Sequence, residues 1–328
     1  MIPPIICLVI LRHYTQPVLK HPANTSITLT LAHSPDPDDV FMWWPLGSLT
    51  EDPVIDTGRF RFDPLPEDIA VLNRRAVEKA DLDITAISIQ TYPLVKDTYA
   101  LTSCAGSFGE GYGPRIVARN DDDQGTIESL KRPGACIAVP GLTTTAFALT
   151  RMVLGDKFEP VEMPFDQIAG AVTGGQADAG VLIHDAQLTY GAQNLRMVLD
   201  LGQWWSSMTG TPLPLGGNVL KRDLDQRFGS GTISAVGNLL RQSIEHALEY
   251  WEEGKRRIAQ RYPGLDDATL DQYLRMYVSE LTVDCSGVGT SAIELLLERS
   301  HELGLCPDPH KVDLVRCNPV GSSSCRDV

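Results

Sequence analysis

The sequence predicts an α/β protein of two lobes with a ligand cleft between them, and three observations carry that expectation. Strand and helix patterns alternate from about Asn120 to Thr211, the signature of βαβ units and a largely parallel sheet. Beyond Ile233 the pattern turns to long amphipathic helices, so the chain returns to a first lobe after building a second. Two chain crossings, near Ala118 and near Pro212, join the parts. Residues 27–118 plus 213–315 are therefore assigned to lobe 1 and residues 119–212 to an inserted lobe 2. That is the layout of a hinged molecule that closes on a ligand.

The elements follow in order. ITLTL (27–31) alternates apolar and polar residues as a half-buried strand does. HSPDPDD (33–39) is a rigid loop, and the helix beginning VFMWW is expected to be capped by Asp38 or Asp39 and stopped by Pro45. Pro66, Glu67 and Asp68 open a second helix with Ile69, Leu72 and Ala76 on one face. DITAIS (83–88) is a buried strand ending on Ser88, SFGEGYGP (107–114) is a loop defined by its backbone, and IVARN is a strand. ACIAVP (135–140) leads through GLTTT, with Thr143 as cap, into the helix TTAFALTRMVL. FDQIAGAV is a helix ending at Gly174 and Gly175, and QADAGVLIH is a strand ending on His184. TGTPLPLGGNVLKR is a Pro/Gly-rich crossing followed by a strand. Ile233, Val236, Leu240, Ile244 and Trp251 mark one long helix, Leu270, Leu274 and Tyr277 a second, and Ile293, Leu296 and Leu297 a third, ended by Gly304.

Composition narrows the function. A chain of 328 residues with 43% hydrophobic and 21% charged residues is long enough for two cores and is not disordered throughout. Its 28 basic and 42 acidic residues give a net charge of −14, which repels phosphate backbones and anionic lipid. Neither nucleic acid nor a membrane is an expected partner, and no apolar run approaches the roughly 18 residues of a spanning helix. The seven cysteines are odd in number and none forms a CxxC pair, so neither a zinc knuckle nor a disulfide framework is expected, and a reducing compartment fits. Residues 1–26 begin MIPPIICLVIL, without the leading basic residue or cleavage site of an export signal, and are read as a disordered extension. Residues 316–328, ending CNPVGSSSCRDV, are read as a polar tail.

No GxSxG, HExxH, Walker A or dinucleotide fingerprint is present. HSPDPDD lacks the central glycine and distal glutamate of a calcium loop, so no metal is expected. Thr143–Thr145 place hydroxyls and free N–H groups at a helix start after a strand, which suits either a carboxylate or phosphate ligand or a plain helix cap. His184 is the one histidine of seven that ends a buried strand in the inserted lobe. Strand ends are where α/β sheets present ligands, although a lone histidine there also serves structure. Ser34, Ser88, Thr144 and Thr145, each at a strand end or helix start, are expected to converge with it on the cleft.

Together these segments resemble the 1,4-dihydroxy-6-naphthoate synthase family of the futalosine menaquinone pathway. The resemblance rests on HSPDPDDVF (33–41), the strand-end Ser88 of TAISIQTY, GEGYGP ending at Pro114, VPGLTTTA (139–146), GGQADAGVLIHDAQLTY ending at Tyr190, and DLGQWW with TGTPLPLG ending at Gly216. All occur in the family's order and spacing, between about Ile27 and Val315. The family's usual SPCPND reads SPDPDD, so Asp36 and Asp38 replace a cysteine and an asparagine, and Glu110 stands where an arginine is common. The resemblance implies a fold like that of type II periplasmic solute-binding proteins and a cytoplasmic, cofactor-free lyase acting on a small anionic aromatic substrate. It implies that His184 is the catalytic residue and that Thr144 and Thr145 hold the substrate. His184 is then expected to act as a neutral base with a reference pKa of about 6.5. At least one of Asp36 and Asp38 is expected to cap the following helix, because two carboxylates bare in the cleft would disfavour an anion. Two alternatives stand beside this reading: an uptake-system solute-binding protein without catalysis, and a dehydratase of the same pathway.

Overall fold

The structure, a computed structural model, describes residues 26–50, 52–122 and 125–319; the expectations for residues 1–25 and 320–328 lie outside the described residues. Among the described residues, twelve strands form two sheets. The first is built from β1 (Ile27–His33), β2 (Phe60–Pro66), β3 (Ile84–Ser88), β4 (Tyr99–Thr102), β5 (Ser107–Gly109), β11 (Leu213–Lys221) and β12 (Leu314–Val315). Its order is β12-β4-β11-β3-β1-β2, with β5 also paired to β11. The second contains β6 (Arg115–Arg119), β7 (Cys136–Val139), β8 (Glu159–Glu162), β9 (Ala179–Leu182) and β10 (Leu195–Asp200), in the order β10-β6-β9-β7-β8.

Two expectations need correction. The sheets are mixed, since β11 runs antiparallel to β3 and β4, and β6 runs antiparallel to β9 and β10. The cause is the topology. β1, β3, β7 and β9 end at the cleft, whereas a strand that has just crossed between lobes must start there and run the other way. β6 also belongs to the second sheet, so the first crossing precedes Arg115 and does not lie near Ala118. The second crossing falls between the helix Leu201–Thr209 and β11.

The first crossing touches the start of the helix Leu201–Thr209 through glycine. A Cβ on Gly202 would fall against the Tyr112 carbonyl and the Gly113 nitrogen, and one on Gly113 would lie 2.9 Å from Gly202 N. Close backbone approach explains why GEGYGP and DLGQWW carry glycine at these positions. Around this junction Ile116, Ile137, Phe147, Trp205, Leu213 and Ile293 share one buried cluster that spans both sheets. Lobe 1 has its own core of Leu29, Leu31, Phe41, Trp43 and Trp44 under the helix Thr232–Glu249, and lobe 2 has one of Val117, Ala138, Ile168, Val172 and Leu182.

The long helix expected past Ile233 is two helices, Thr232–Glu249 and Trp251–Arg261, broken at Tyr250. The tail is packed at its start. Just before it, β12 pairs with β4, and within it the Cys317 N–H donates to Ser103 Oγ at 2.9 Å and the Asn318 N–H donates to Asn238 Oδ1 at 2.7 Å. A two-residue strand is too short for periodicity to reveal. Among the described residues no helix is long and apolar enough to cross a membrane.

Candidate active site

β9 delivers His184 to the cleft from lobe 2, and the chain turns there at once into the helix Ala186–Thr189. The turn holds His184 at φ 57°, a left-handed conformation that non-glycine residues rarely adopt and that clusters at functional sites. The edge of the Phe165 ring packs against the imidazole at 4.7 Å between centroids. His184 Nδ1 donates to Asp36 Oδ2 at 2.9 Å, from the opposite lobe. Nε2 is buried and has no partner among the described residues, which leaves it for a ligand.

Asp36, Asp38 and Asp39 line the same cleft from lobe 1. Asp36 occupies the N-cap position of the helix Pro37–Trp43, yet no side chain caps that helix. The capping expected of Asp38 or Asp39, and of one member of the pair Asp36 and Asp38, is therefore absent. Asp36 accepts instead from Ser34 Oγ and from His184, Asp38 Oδ1 accepts from the Tyr273 hydroxyl at 3.0 Å, and Asp39 Oδ2 accepts from the Ser34 N–H at 2.8 Å. None of the three carboxylates is bare.

Their proximity redistributes protons. Burial, then the charge of Asp36, pushes the Asp38 carboxyl up to about 6 against the opposing pull of His184 and Tyr273. Burial together with Asp38 and Asp36 holds Asp39 well above the usual carboxylate range. For His184, burial acts downward but is outweighed by the charge and hydrogen bond of Asp36, with help from Asp38 and Asp68, so its imidazole is raised to about 9. The expected base of ordinary pKa is thus, in the closed site, an unusually basic one.

Ser34, Ser88, Thr144, Thr145 and His184 all line this one pocket. Their hydroxyls differ in what remains free. Thr144, and not Thr143, caps the helix Thr145–Leu154: its Oγ1 accepts from Phe147 N at 3.2 Å and donates to the Gly141 carbonyl at 2.7 Å. Thr145 Oγ1 donates across the cleft to the Leu215 carbonyl at 2.8 Å and accepts from Gln90 N at 3.3 Å. Ser34 gives its proton to Asp36. A hydroxyl has one proton, so these three have none left for an anion. Ser88 Oγ accepts from Asn73 Nδ2 at 3.0 Å and keeps its proton. What the threonine turn still offers is backbone N–H at the start of a ten-residue helix.

Sequence reasoning missed several residues in the lining. Tyr273 and Tyr277 project from the helix Asp267–Tyr277, where the apolar stripe reads as core. Gln187 bonds the Tyr277 hydroxyl at 2.8 Å across the cleft, and Asn218 is buried with Oδ1 unpartnered among the described residues. Met42, Ile69, Ile87, Ile183 and Leu215 supply apolar walls, and the enclosed part of the cleft holds about 110 Å³. No group of three or more His, Cys, Asp or Glu among the described residues has the geometry of a metal site.

Residues 29–302 match the model of a family described as menaquinone biosynthesis. A 1,4-dihydroxy-6-naphthoate synthase of Thermus thermophilus is 35% identical over 283 residues, covering 86% of this chain and 97% of the relative. One of Streptomyces coelicolor is 34% identical over 287 residues, covering 85% and 95%. Among solved structures, an Archaeoglobus fulgidus protein is 36% identical with a TM-score of 0.74, covering 87% of this chain and all of that one (100%). The alkanesulfonate-binding protein of Xanthomonas axonopodis pv. citri, bound to MOPS, has a TM-score of 0.64 at 14% identity, covering 89% and 99%. At that identity the likeness concerns the fold, a two-lobe arrangement of the periplasmic binding-protein type.

Proposed function

The chain belongs to the menaquinone biosynthesis family, and we propose that within it this protein is a 1,4-dihydroxy-6-naphthoate synthase: a lyase that releases the dihydroxynaphthoate from cyclic dehypoxanthinyl futalosine with no metal or organic cofactor. The observation that carries this reading is His184, with Nδ1 anchored to Asp36 and Nε2 open in an interlobe cleft. Forming the aromatic naphthol requires removal of a proton beside a carbonyl. His184 Nε2 accepts that proton, the C–H electrons move into the enolate, and collapse of the enolate expels the ribose-derived fragment. A well-placed base contributes roughly 10²–10⁴ in rate.

The substrate's aromatic part lies against Ile87, Ile183 and Leu215. Its carboxylate is received by the Ser88 hydroxyl and the free amides at the start of the helix Thr145–Leu154, in keeping with the helix dipole. Thr144 and Thr145 serve this end of the site through their backbone and by holding the turn. Ser34 orients Asp36. We place the activity in the cytoplasm, a setting that suits the five free thiols among the described cysteines. The alternative of an uptake-system binding protein shares the fold, but no feature of the site favours it. Expression of this chain in a menaquinone auxotroph lacking the synthase tests the proposal. Restored growth without added menaquinone is expected, and failure of a well-expressed protein to restore it would overturn the reading.

A further inference from the structure

Asp36 and His184 follow strands of different sheets, so their 2.9 Å contact joins the two lobes. We propose that Asp36 is a positioning residue that completes the base only when the lobes close, turning His184 into a stronger proton acceptor at the moment the substrate is enclosed. The proposal deepens the synthase reading and rests on it for the identity of the proton donor.

Several observations support it. Asp36, Ser88 and Thr145 are 5%, 5% and 2% exposed, so a substrate reaches them only with the lobes apart, an arrangement in which the contact cannot exist. The carboxylate is held ready, because Pro37 fixes the backbone after it and Ser34 Oγ bonds the same Oδ2 that meets His184. Other ties set the register of closure: Thr145 to Leu215, Thr91 Oγ1 to the Thr143 carbonyl at 2.9 Å, Gln187 to Tyr277, and Arg74 to Glu162 at 2.9 Å.

The chemistry follows. With the lobes apart, an imidazole near its reference pKa of about 6.5 is mostly neutral at pH 7, and Nε2 can accept a proton. Closure adds the Asp36 hydrogen bond and charge, the two largest influences raising the group to about 9. The substrate C–H bond then breaks, its electron pair enters the enolate, the proton goes to Nε2, and the resulting imidazolium is stabilised through Nδ1–H and Asp36. Asp38 and Asp39 on the same helix and Asp68 at the next helix start also face His184, with Tyr273 bonded to Asp38, but only Asp36 bonds the ring.

The test follows the His184 ring by NMR in ¹⁵N-histidine-labelled protein, free and with 1,4-dihydroxy-6-naphthoate bound, alongside pH profiles of kcat and KM. In the wild-type complex the ring is expected to titrate near 9. In Asp36→Asn it should titrate near or below about 6.5, with kcat down by roughly 10²–10⁴ and KM changed less than about threefold. Asp36→Cys, the residue usual in related loops, also removes the carboxylate, so its His184 ring should titrate as in Asp36→Asn, and it guards against misfolding of the first variant. A folded variant that keeps the wild-type titration and pH profile would overturn the proposal. Should the variants collapse the titration while the wild type fails to turn over cyclic dehypoxanthinyl futalosine, the pairing stands and the synthase reading falls.

Discussion

Raising the pH from 6 to 10 should remove roughly 3 kcal/mol of folding stability through the His184–Asp36 contact alone. His184 is raised from 6.5 to about 9, burial acting downward and Asp36 acting more strongly upward, and each pH unit between the two values is worth about 1.4 kcal/mol. Below about 6.5 the ring is protonated in both folded and unfolded chains and the stabilisation is complete. Between 6.5 and about 9 the unfolded chain releases its proton while the folded one keeps it, so stability declines; above about 9 the contribution is gone. Asp38 works in a separate window. Burial lifts it to about 6, so its protonated form favours the folded state, an effect complete below 3.8 and lost as pH rises through about 6. Urea denaturation of the wild type and of His184→Gln across pH 6–10, both with saturating 1,4-dihydroxy-6-naphthoate so that the folded state is the closed one, isolates the histidine. The difference in unfolding free energy should be largest at pH 6 and shrink by roughly 3 kcal/mol by pH 10. A difference that stays flat, or grows with pH, would refute the pairing.

Three further substitutions separate structural from ligand-holding roles. Gly202→Ala should destabilise by at least about 1–3 kcal/mol in denaturant melts, because the new Cβ meets the Tyr112 carbonyl and backbone cannot yield cheaply; a neutral result would deny the close crossing. Thr144→Ala should cost about 1 kcal/mol as a lost helix cap while leaving naphthoate affinity by calorimetry within about threefold; a large loss of affinity would show that the hydroxyl itself holds the ligand. Ser88→Ala removes the hydroxyl whose proton is uncommitted, so affinity for the dihydroxynaphthoate should fall about 10- to 150-fold in the same assay, and unchanged affinity would remove Ser88 from the site.

What the sequence reveals of this protein is what local chemistry dictates. The strand leading to His184, the threonine turn at a helix start and the glycines of GEGYGP each show in a few consecutive residues; the first two reach the cleft and the glycines let the first crossing pack against Gly202. Direction and sheet membership do not show locally. IVARN is a strand by pattern in either lobe, and only its pairing with β9 and β10 assigns it to the second sheet. EPVE, exposed throughout at a sheet edge, has no alternation to detect. The carboxylates are harder still. A proline-bounded SPDPDD suggests helix capping, but besides the neighbouring Ser34 the partners that claim Asp36 and Asp38 are His184, just past β9, and Tyr273 of the helix Asp267–Tyr277, far along the chain. Residue type likewise reveals a hydroxyl but not whether its single proton is already spent, and that distinction separates Ser88 from Thr144 and Thr145.

Incubation of the purified protein with cyclic dehypoxanthinyl futalosine, followed by mass-spectrometric detection of 1,4-dihydroxy-6-naphthoate, tests His184 as the base most directly. The wild type should release the product, and His184→Ala should do so roughly 10²–10⁴ times more slowly while still binding substrate. Full turnover by the alanine variant would make His184 structural and the proton-transfer mechanism wrong.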